Sequence, residues 1–298
     1  MKLGITLPLI DIQGSPSTVR DFAQAAEVMG YHHLGAPDHV LGANAASRPD
    51  RGQRNTSKDF FHDPFVMFGF LAACTTKIEF STQVLILAQR QTVLVAKQAA
   101  SLDVLSKGRF RLGVGIGWNP VEFTGLNENF SNRGRRSGEQ LQVLKALWAE
   151  QHVSFKGEWH TIEDAGINPR PESRSIPLWL GGHEDAVLRR IAKWCDGWIM
   201  LAHPLGDVAK AEFEKLREYV HAEGRDPASI GLEVWVSTAE GTPDDWRRDA
   251  EGWKALGVTH LTLNSVYSRD RHKRISGRTV ADHITAMRDY YSAVKDVL

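Results

Sequence analysis

Residues 78–115 read IEFSTQVLILAQRQTVLVAKQAASLDVLSKGRFRLGVG. Residues 78–85 mix apolar side chains with short polar ones and predict a strand, and the longer run Thr92–Ser106 predicts a helix that Gly108 ends. Residues 109–115 then predict a second strand. Two strands joined by a helix usually pair in parallel, because the crossover returns the chain to the edge of the sheet from which it left. The stretch therefore indicates an α/β protein built from βα units.

The same alternation runs through all 298 residues. Strands are predicted at 2–7, 32–36, 78–85, 109–115, 177–180, 197–201, 230–236 and 260–264. Helices are predicted at 16–30, from Asp63-Pro64 onward, and at 92–106, 135–149, 184–194, 207–224, 243–257 and 280–297. Eight strand–helix pairs favour a closed (β/α)8 TIM barrel over a doubly wound open sheet. No linker or internal repeat is visible, so a single domain over residues 1–298 is expected.

Two segments interrupt the alternation and predict insertions after strands two and four. The polar stretch 42–59 follows the second strand. Residues 153–162 alternate polar and apolar side chains around Gly157, which predicts a small hairpin after the fourth helix.

Composition argues against several classes of partner. The 36 basic and 36 acidic residues give a formal net charge of +0 without a long block of like charge, so a nucleic-acid partner is not expected. The short basic stretches 133–136 and 269–274 are interpreted as solvated surface in preference to phosphate sites. No run approaches the roughly 18 apolar residues that span a bilayer, and no leader pattern opens the chain. Cys74 and Cys195 fit no disulfide or zinc motif and are expected to be buried free thiols in a reducing, cytoplasmic compartment.

Catalytic residues of TIM barrels lie on the loops that follow the strands. Asp38 and His39 follow the second predicted strand, and a carboxylate beside an imidazole can exchange protons near neutral pH. The alternative interpretation is a capped turn with a satisfied polar histidine. The loop position favours a catalytic role for both residues.

Glycine-rich loops follow the fourth and fifth predicted strands. Gly115 and Gly117 would let the backbone approach a flat ring or a phosphate, although a tight turn at the barrel rim explains them equally well. Gly181 and Gly182 precede a predicted helix and favour an anion site at its N-terminus. A metal is not expected, because the first strand lacks the His and Asp ligands with which metal-dependent barrel hydrolases commonly begin.

Four segments resemble those of the bacterial luciferase-like oxidoreductases, in particular the branch that uses the deazaflavin coenzyme F420. They are Pro37-Asp38-His39, residues 81–85, residues 107–119 and Gly181-Gly182, and the similarity extends from the first strand to the last helix. The resemblance implies hydride transfer between F420 and a small organic substrate, with His39 handling the accompanying proton. Reduced FMN in a monooxygenase is the alternative on the same scaffold, and a non-catalytic flavin-binding barrel is the alternative of another class. The family commonly forms dimers, so a homodimer is implied.

The resemblance also implies where the coenzyme lies. It places a non-prolyl cis peptide at Gln83-Val84, against the face of the ring, and a variable loop at 42–58, with Arg48, Arg51 and Arg54, over the substrate. The residues expected to contact the coenzyme are Thr82, Gln83, Val84, Gly115, Gly117, Trp118, Asn119, Gly181, Gly182 and His183.

Overall fold

The computed structural model describes residues 1–13, 15–48, 55–268 and 272–298. The barrel strands are β1 (Lys2–Thr6), β2 (His33–Ala36), β3 (Glu79–Thr82), β4 (Leu85–Ile86), β5 (Phe110–Gly115), β8 (Leu178–Gly181), β9 (Gly197–Met200), β10 (Gly231–Val236) and β11 (His260–Leu263). A hairpin of β6 (Val153–Lys156) and β7 (Thr161–Ala165) lies outside the barrel. The helices are α1 (Leu9–Ile12), α2 (Pro16–Met29), α3 (Pro64–Cys74), α4 (Thr92–Ser106), α5 (Pro120–Gly125), α6 (Arg133–Ala149), α7 (Asp185–Trp194), α8 (Asp207–Ala222), α9 (Pro243–Ala255) and α10 (Val280–Val294).

The sheet closes on itself. Its strands follow the order β3-β2-β1-β11-β10-β9-β8-β5, and β3 also pairs with β5, so that no strand of this ring is left at an edge. Every pair in the ring is parallel. The predicted (β/α)8 barrel is confirmed. The predicted hairpin around Gly157 is confirmed as well, since β6 and β7 pair antiparallel.

The prediction of one uninterrupted third strand at 78–85 was wrong. The strand stops at Thr82 and resumes as β4 at Leu85, and the Gln83-Val84 peptide between them is cis, as the resemblance implied. Ser81 pairs with Arg111 and Leu85 with Val114, so the offset between the two strands falls from 30 to 29. The third strand thus carries one extra residue, which is the definition of a β-bulge. The residue pattern of 78–85 predicts a strand but does not show where an extra residue interrupts it.

Side chains alternate between the outside and the inside of the barrel, as the period of a strand requires. The outward side chains, such as Leu34, Phe80 and Leu112, are buried under the helices and form the main apolar core. Trp148 of α6 is also buried and donates a hydrogen bond from Nε1 to the Ala96 carbonyl at 3.1 Å, which joins α6 to α4. The inward side chains include several polar and charged residues, which support the site described below.

Two further expectations can be compared with the structure. Cys195 is buried, but Cys74 is only partly buried at the end of α3, so the expectation of two buried thiols was wrong for Cys74. Short helix α5 follows β5 and was not predicted, because six residues are too few to show helical periodicity. Among the described residues, no helix has both the length and the apolar character required to cross a bilayer.

Candidate active site

His39 lies at the C-terminal end of β2 and is held on both sides of its ring. Its Nδ1 lies 3.2 Å from Oε1 of Glu122 in α5, and its Nε2 lies 2.7 Å from Nδ2 of Asn55. An ionised carboxylate only accepts and an amide nitrogen only donates, so these two contacts suit the tautomer with the proton on Nδ1. The ring also packs against Phe61, with 4.9 Å between the centroids. His39 is therefore oriented, with Nε2 as the basic nitrogen.

Glu122 is buried and was not among the predicted site residues. Besides His39, its Oε1 accepts a hydrogen bond from the Val40 amide at 3.1 Å, and its Oε2 accepts one from Gln89 at 3.4 Å. These donors compensate for the loss of water around the carboxylate. The available signal was the Asn119-Pro120 start of a helix, which brings a side chain three residues later onto its first turn.

Asp38 does not contact the His39 ring in the way that the sequence suggested. Its carboxylate accepts from the Ile86 amide at 3.0 Å and lies 2.7 Å from Nη2 of Arg90. Burial opposes the charge of Arg90, but Asp38 and Asp63 together raise the pKa of this guanidinium. Asp38 thus ties the end of β2 to β4. Its predicted role in proton transfer remains a prediction.

Val84 lies between the loops that follow the fourth and fifth barrel strands. A Cβ atom on Gly115 would lie 2.5 Å from Cγ2 of Val84, and one on Gly181 would lie 2.8 Å from Cγ1. Both distances are far shorter than a carbon–carbon contact allows. The two glycines are therefore required by the position of Val84, whose side chain is half-buried. We call Val84, Gly115 and Gly181 the site floor.

The other predicted residues of the β5 loop serve mainly to shape it. Gly117 has φ of 78°, and a Cβ there would meet Ile86 and Phe123, so a larger residue is excluded. Asn119 is buried and caps α5 by accepting from the Val121 amide at 3.1 Å. Trp118 is 40% exposed beside this loop and is free to contact a ligand.

The loop after β8 differs from the expected anion site. Helix α7 begins at Asp185, after Glu184 at the N-cap, so two acidic side chains stand at its N-terminus, although the Glu184 side chain makes no capping hydrogen bond. Like charges disfavour an anion there. Gly182 accepts a hydrogen bond from Trp198 Nε1 at 2.6 Å through its carbonyl, and the His183 side chain is 60% exposed.

Thr82 and Gln83 turn away from the surface. Thr82 is buried and donates to the Gly113 carbonyl at 2.6 Å. The Gln83 side chain is also buried and donates through Nε2 to Glu233 inside the barrel. Any contact of these two residues with a ligand is therefore made by their backbone or through their neighbours.

A buried charged network fills the centre of the barrel, and no sequence argument identified it. Nη2 of Arg111 lies 2.8 Å from Oε2 of Glu233, and Thr262 donates to Oε1 of Glu233 at 2.6 Å. Burial favours the neutral carboxyl, but Arg111 and His33 hold the pKa of Glu233 well below its usual range. The signal was present, because each polar residue stands at an inward position of an otherwise apolar strand.

The rim opposite His39 carries an aromatic cluster. Trp235 stacks on Tyr267 with 6.1 Å between ring centroids and an interplanar angle of 19°. Trp235 is buried, and its Nε1 has no hydrogen-bond partner among the described residues. A cavity of about 180 Å³ adjoins this cluster.

A second cavity, of about 800 Å³, lies outside the barrel between the start of α4 and the β6–β7 hairpin. Its polar groups already pair with each other. Thr92 lies 2.6 Å from Nε2 of His160, and Lys97 donates to the Asn168 carbonyl. We therefore place the candidate active site at the barrel mouth, which carries both His39 and the site floor. The residues that the structure describes include no group of three or more His, Cys, Asp or Glu side chains placed to hold a metal ion.

Comparison with known proteins identifies the family of the chain. The family model of the luciferase-like monooxygenases matches residues 4–292. A Mycobacterium tuberculosis protein of uncharacterised function is 30% identical over 270 residues, which cover 88% of this chain and 90% of that protein. The F420-dependent glucose-6-phosphate dehydrogenase of Kineococcus radiotolerans is 28% identical over 86% of this chain and 74% of its own length. Pyrimidine monooxygenase RutA of Allorhizobium ampelinum is 30% identical over 65% and 55%, respectively.

Solved structures share the fold. The monooxygenase RslO1 from Streptomyces bottropensis superimposes with a TM-score of 0.79 at 16% identity, covering 100% of this chain and 99% of its own. The coenzyme F420-dependent tetrahydromethanopterin reductase from Methanopyrus kandleri superimposes with a TM-score of 0.76 at 15% identity, covering 99% of both chains. Because the family model spans nearly the whole sequence, the chain belongs to the luciferase-like monooxygenase family.

Proposed function

We propose that this protein is an F420-dependent oxidoreductase that transfers a hydride between the deazaflavin and a small organic substrate at the barrel mouth. The observation that carries the proposal is that one hydrogen bond joins the backbone beside an oriented imidazole to the backbone beside a floor that two glycines keep clear. His39 follows Asp38, whose carboxylate binds the Ile86 amide two residues beyond Val84. This hydrogen bond thereby links the backbone next to His39 to the backbone next to Val84.

The site floor fits a flat ring. Gly115 and Gly181 have no side chains, so the half-buried methyl groups of Val84 form the surface between them. An apolar surface of this kind suits a tricyclic ring, and polar groups at the margin, such as Asn55 and Trp118, can fix its orientation. When bound, F420 supplies the hydride chemistry at its C5 position, and the protein supplies position and electrostatics.

His39 is suited to move the proton that accompanies the hydride. Its Nε2 is the basic nitrogen, and the Glu122 carboxylate on Nδ1 would stabilise the imidazolium that forms when Nε2 takes up a proton. The same division of labour operates in hydrolase triads, where a buried carboxylate orients a histidine. In the protein alone Asn55 donates to Nε2. A substrate hydroxyl in that position would replace the amide as the hydrogen-bond donor.

The choice of F420 over FMN is supported by the relatives. The F420-dependent dehydrogenase aligns over a larger share of both chains than the pyrimidine monooxygenase does, although its identity is slightly lower. A flavin monooxygenase is the second candidate, because that relative reaches 30% identity. The two functions differ in one property that can be measured, since reduced flavin reacts with oxygen and the reduced deazaflavin does not.

The test is a binding titration of the purified protein with F420 and with FMN, each oxidised and reduced, followed by fluorescence and calorimetry. We expect F420 to bind more tightly than FMN, and turnover in a screen of alcohols, enones and imines to proceed without oxygen. Preference for reduced FMN together with oxygen uptake would establish the monooxygenase instead. Binding of neither coenzyme would overturn the proposal, and F420 binding without turnover of any substrate class would indicate a binding module.

A further inference from the structure

Glu233 is a fully buried carboxylate at the centre of the barrel. Arg111 lies 2.8 Å away, Thr262 donates to it, and His33 Nε2 lies 3.5 Å from its Oε1. Burying an ion pair costs desolvation free energy, and well-packed apolar residues often replace such pairs without loss of stability. The barrel therefore contains a charged group that its stability alone does not require.

Gln83 connects this group to the active site. Its Nε2 donates to Glu233, and its Oε1 accepts a hydrogen bond from Thr6 at 3.4 Å. Gly35 makes room for the amide, because a Cβ atom on Gly35 would overlap it. The side chain is therefore held at both ends of its amide and enclosed by the neighbouring strand.

Gln83 directly precedes Val84, the central residue of the site floor. Gln83 and Val84 share a peptide bond, so a change in the position of the Gln83 backbone is passed directly to Val84, whose methyl groups lie in the space that Gly115 and Gly181 leave. The hydrogen bond to Glu233 thus restrains the residue on which a ring would lie. Residues that hydrogen-bond to the residues of a binding site, without touching the ligand themselves, commonly fix the geometry of the ligand contacts.

We propose that Glu233 is a positioning residue that fixes Val84 for coenzyme binding through the side chain of Gln83. This inference rests on the proposed function for its coenzyme, whereas the restraint on Val84 exists in the protein alone. Arg111 has a supporting part, since its charge keeps Glu233 ionised and able to accept from Gln83. Its guanidinium lies 4.2 Å from the centre of the Trp179 ring, which limits its own movement.

The test uses three variants and one control. Gln83→Met removes the amide but leaves the Arg111–Glu233 pair intact, Glu233→Gln removes the charge at nearly constant volume, and the third variant combines both changes. Gln24→Met is the control, because it makes the same change on the exposed face of α2, where the Gln24 side chain donates to the Cys74 carbonyl at 2.8 Å. For each protein we would measure the Kd of F420, the unfolding midpoint in urea and the 13C-methyl signals of Val84 without ligand.

We expect each single variant to raise the Kd of F420 by about fivefold or more, and the double variant to add little beyond the larger single effect. The Val84 methyl signals should shift or broaden in all three variants and remain unchanged in Gln24→Met. Independent, additive effects on Kd, or Val84 signals that do not respond, would overturn the inference. If Glu233→Gln fails to fold, Gln83→Met decides alone, because it preserves the ion pair.

The two proposals fail in different ways. Wild-type protein that binds neither F420 nor FMN would overturn the proposed function. The Val84 signals of the ligand-free variants would then still decide whether Glu233 positions Val84.

Discussion

Nδ1 of His39 lies 3.2 Å from Oε1 of Glu122, a residue 83 positions later in the chain. The contact joins the loop after β2 to helix α5 across the barrel mouth. Because Glu122 also accepts from the Val40 amide, a single carboxylate orients the ring and fixes the adjacent backbone. Its removal should therefore affect the reaction more strongly than it affects the binding of the coenzyme.

The His39–Glu122 contact predicts separate effects on rate and affinity. His39→Ala should lower kcat by about 10²–10⁴-fold, the usual contribution of general acid–base catalysis, with the Kd of F420 changed by less than about threefold. Glu122→Gln should lower kcat by about tenfold, since the ring stays in place but loses its charged partner. Steady-state kinetics and fluorescence titration measure the two quantities. Full turnover in His39→Ala would remove the proton role from this histidine.

The site floor predicts that added methyl groups block the coenzyme. Gly115→Ala and Gly181→Ala place a Cβ against Val84, so both should weaken F420 binding and lower the free energy of unfolding by about 1–3 kcal/mol. Gly69→Ala is the matched control, because nothing lies within 4 Å of a Cβ at this position in α3. It should raise stability by about 0.5–1 kcal/mol and leave affinity unchanged. Equal affinities in all three variants would contradict a ring lying over Val84.

The buried histidines predict that the protein loses stability as the pH falls below about 6.5. Burial lowers the pKa of His33, and burial together with Arg111 lowers that of His260 to about 2. The unfolded chain then binds protons that the folded state does not, so the unfolding free energy declines by up to ~1.4 kcal/mol per pH unit for each such histidine. Urea unfolding at pH 7.5 and 5.5 measures the decline.

His260→Gln tests the assignment of this pH dependence. The variant removes one of the groups that titrate only on unfolding, so its unfolding free energy should decline less between pH 7.5 and 5.5 than that of the wild type. Identical declines would mean that His260 is protonated in the folded state, or that it does not contribute.

Ser265, His283 and Asp11 have the connectivity of a hydrolase triad but should not behave as one. Ser265 Oγ lies 2.9 Å from His283 Nδ1, and His283 Nε2 lies 3.1 Å from Asp11. Ser265 and His283 are buried, the Asp11 side chain is 2% exposed, and Arg274 pairs with Asp11 at 2.6 Å. A serine-directed phosphonofluoridate should therefore leave the folded protein unlabelled. His283→Ala should lower the free energy of unfolding by about 1–3 kcal/mol, because it leaves buried polar partners unsatisfied. Stoichiometric labelling of Ser265, detected by mass spectrometry, would contradict this account.

The fold could be predicted from the sequence because its signals are local. Strand and helix periodicities are visible within each βα unit, and eight units in succession leave little besides a barrel. The bulge at Gln83-Val84 was predicted through the family resemblance alone. The pattern of residues 78–85 predicts a strand but carries no sign of a change in register.

The candidate site could be predicted only in part. His39 was found because it follows a strand, and the glycines were found because their spacing is unusual. Their partners depend on contacts between distant residues, as with Glu122 beside His39 and Glu233 beside Gln83. The anion site expected after β8 is disfavoured by Glu184 and Asp185, two residues that stood next to the glycines in the sequence. Some predicted features lie outside the described residues: Arg51 and Arg54 of the variable loop, and Arg269 and Arg271 of the second basic stretch.

The most direct test of the central claim is a titration of protein carrying 13C-labelled valine methyl groups with F420. Val84→Ala assigns the signals, and Val28, exposed on α2 away from the mouth, provides an internal reference. We predict that the Val84 methyl signals shift by a ring-current effect and saturate together with the change in F420 fluorescence, while the Val28 signals stay in place. F420 binding without any change at Val84, or a response at Val84 to FMN and not to F420, would contradict the account.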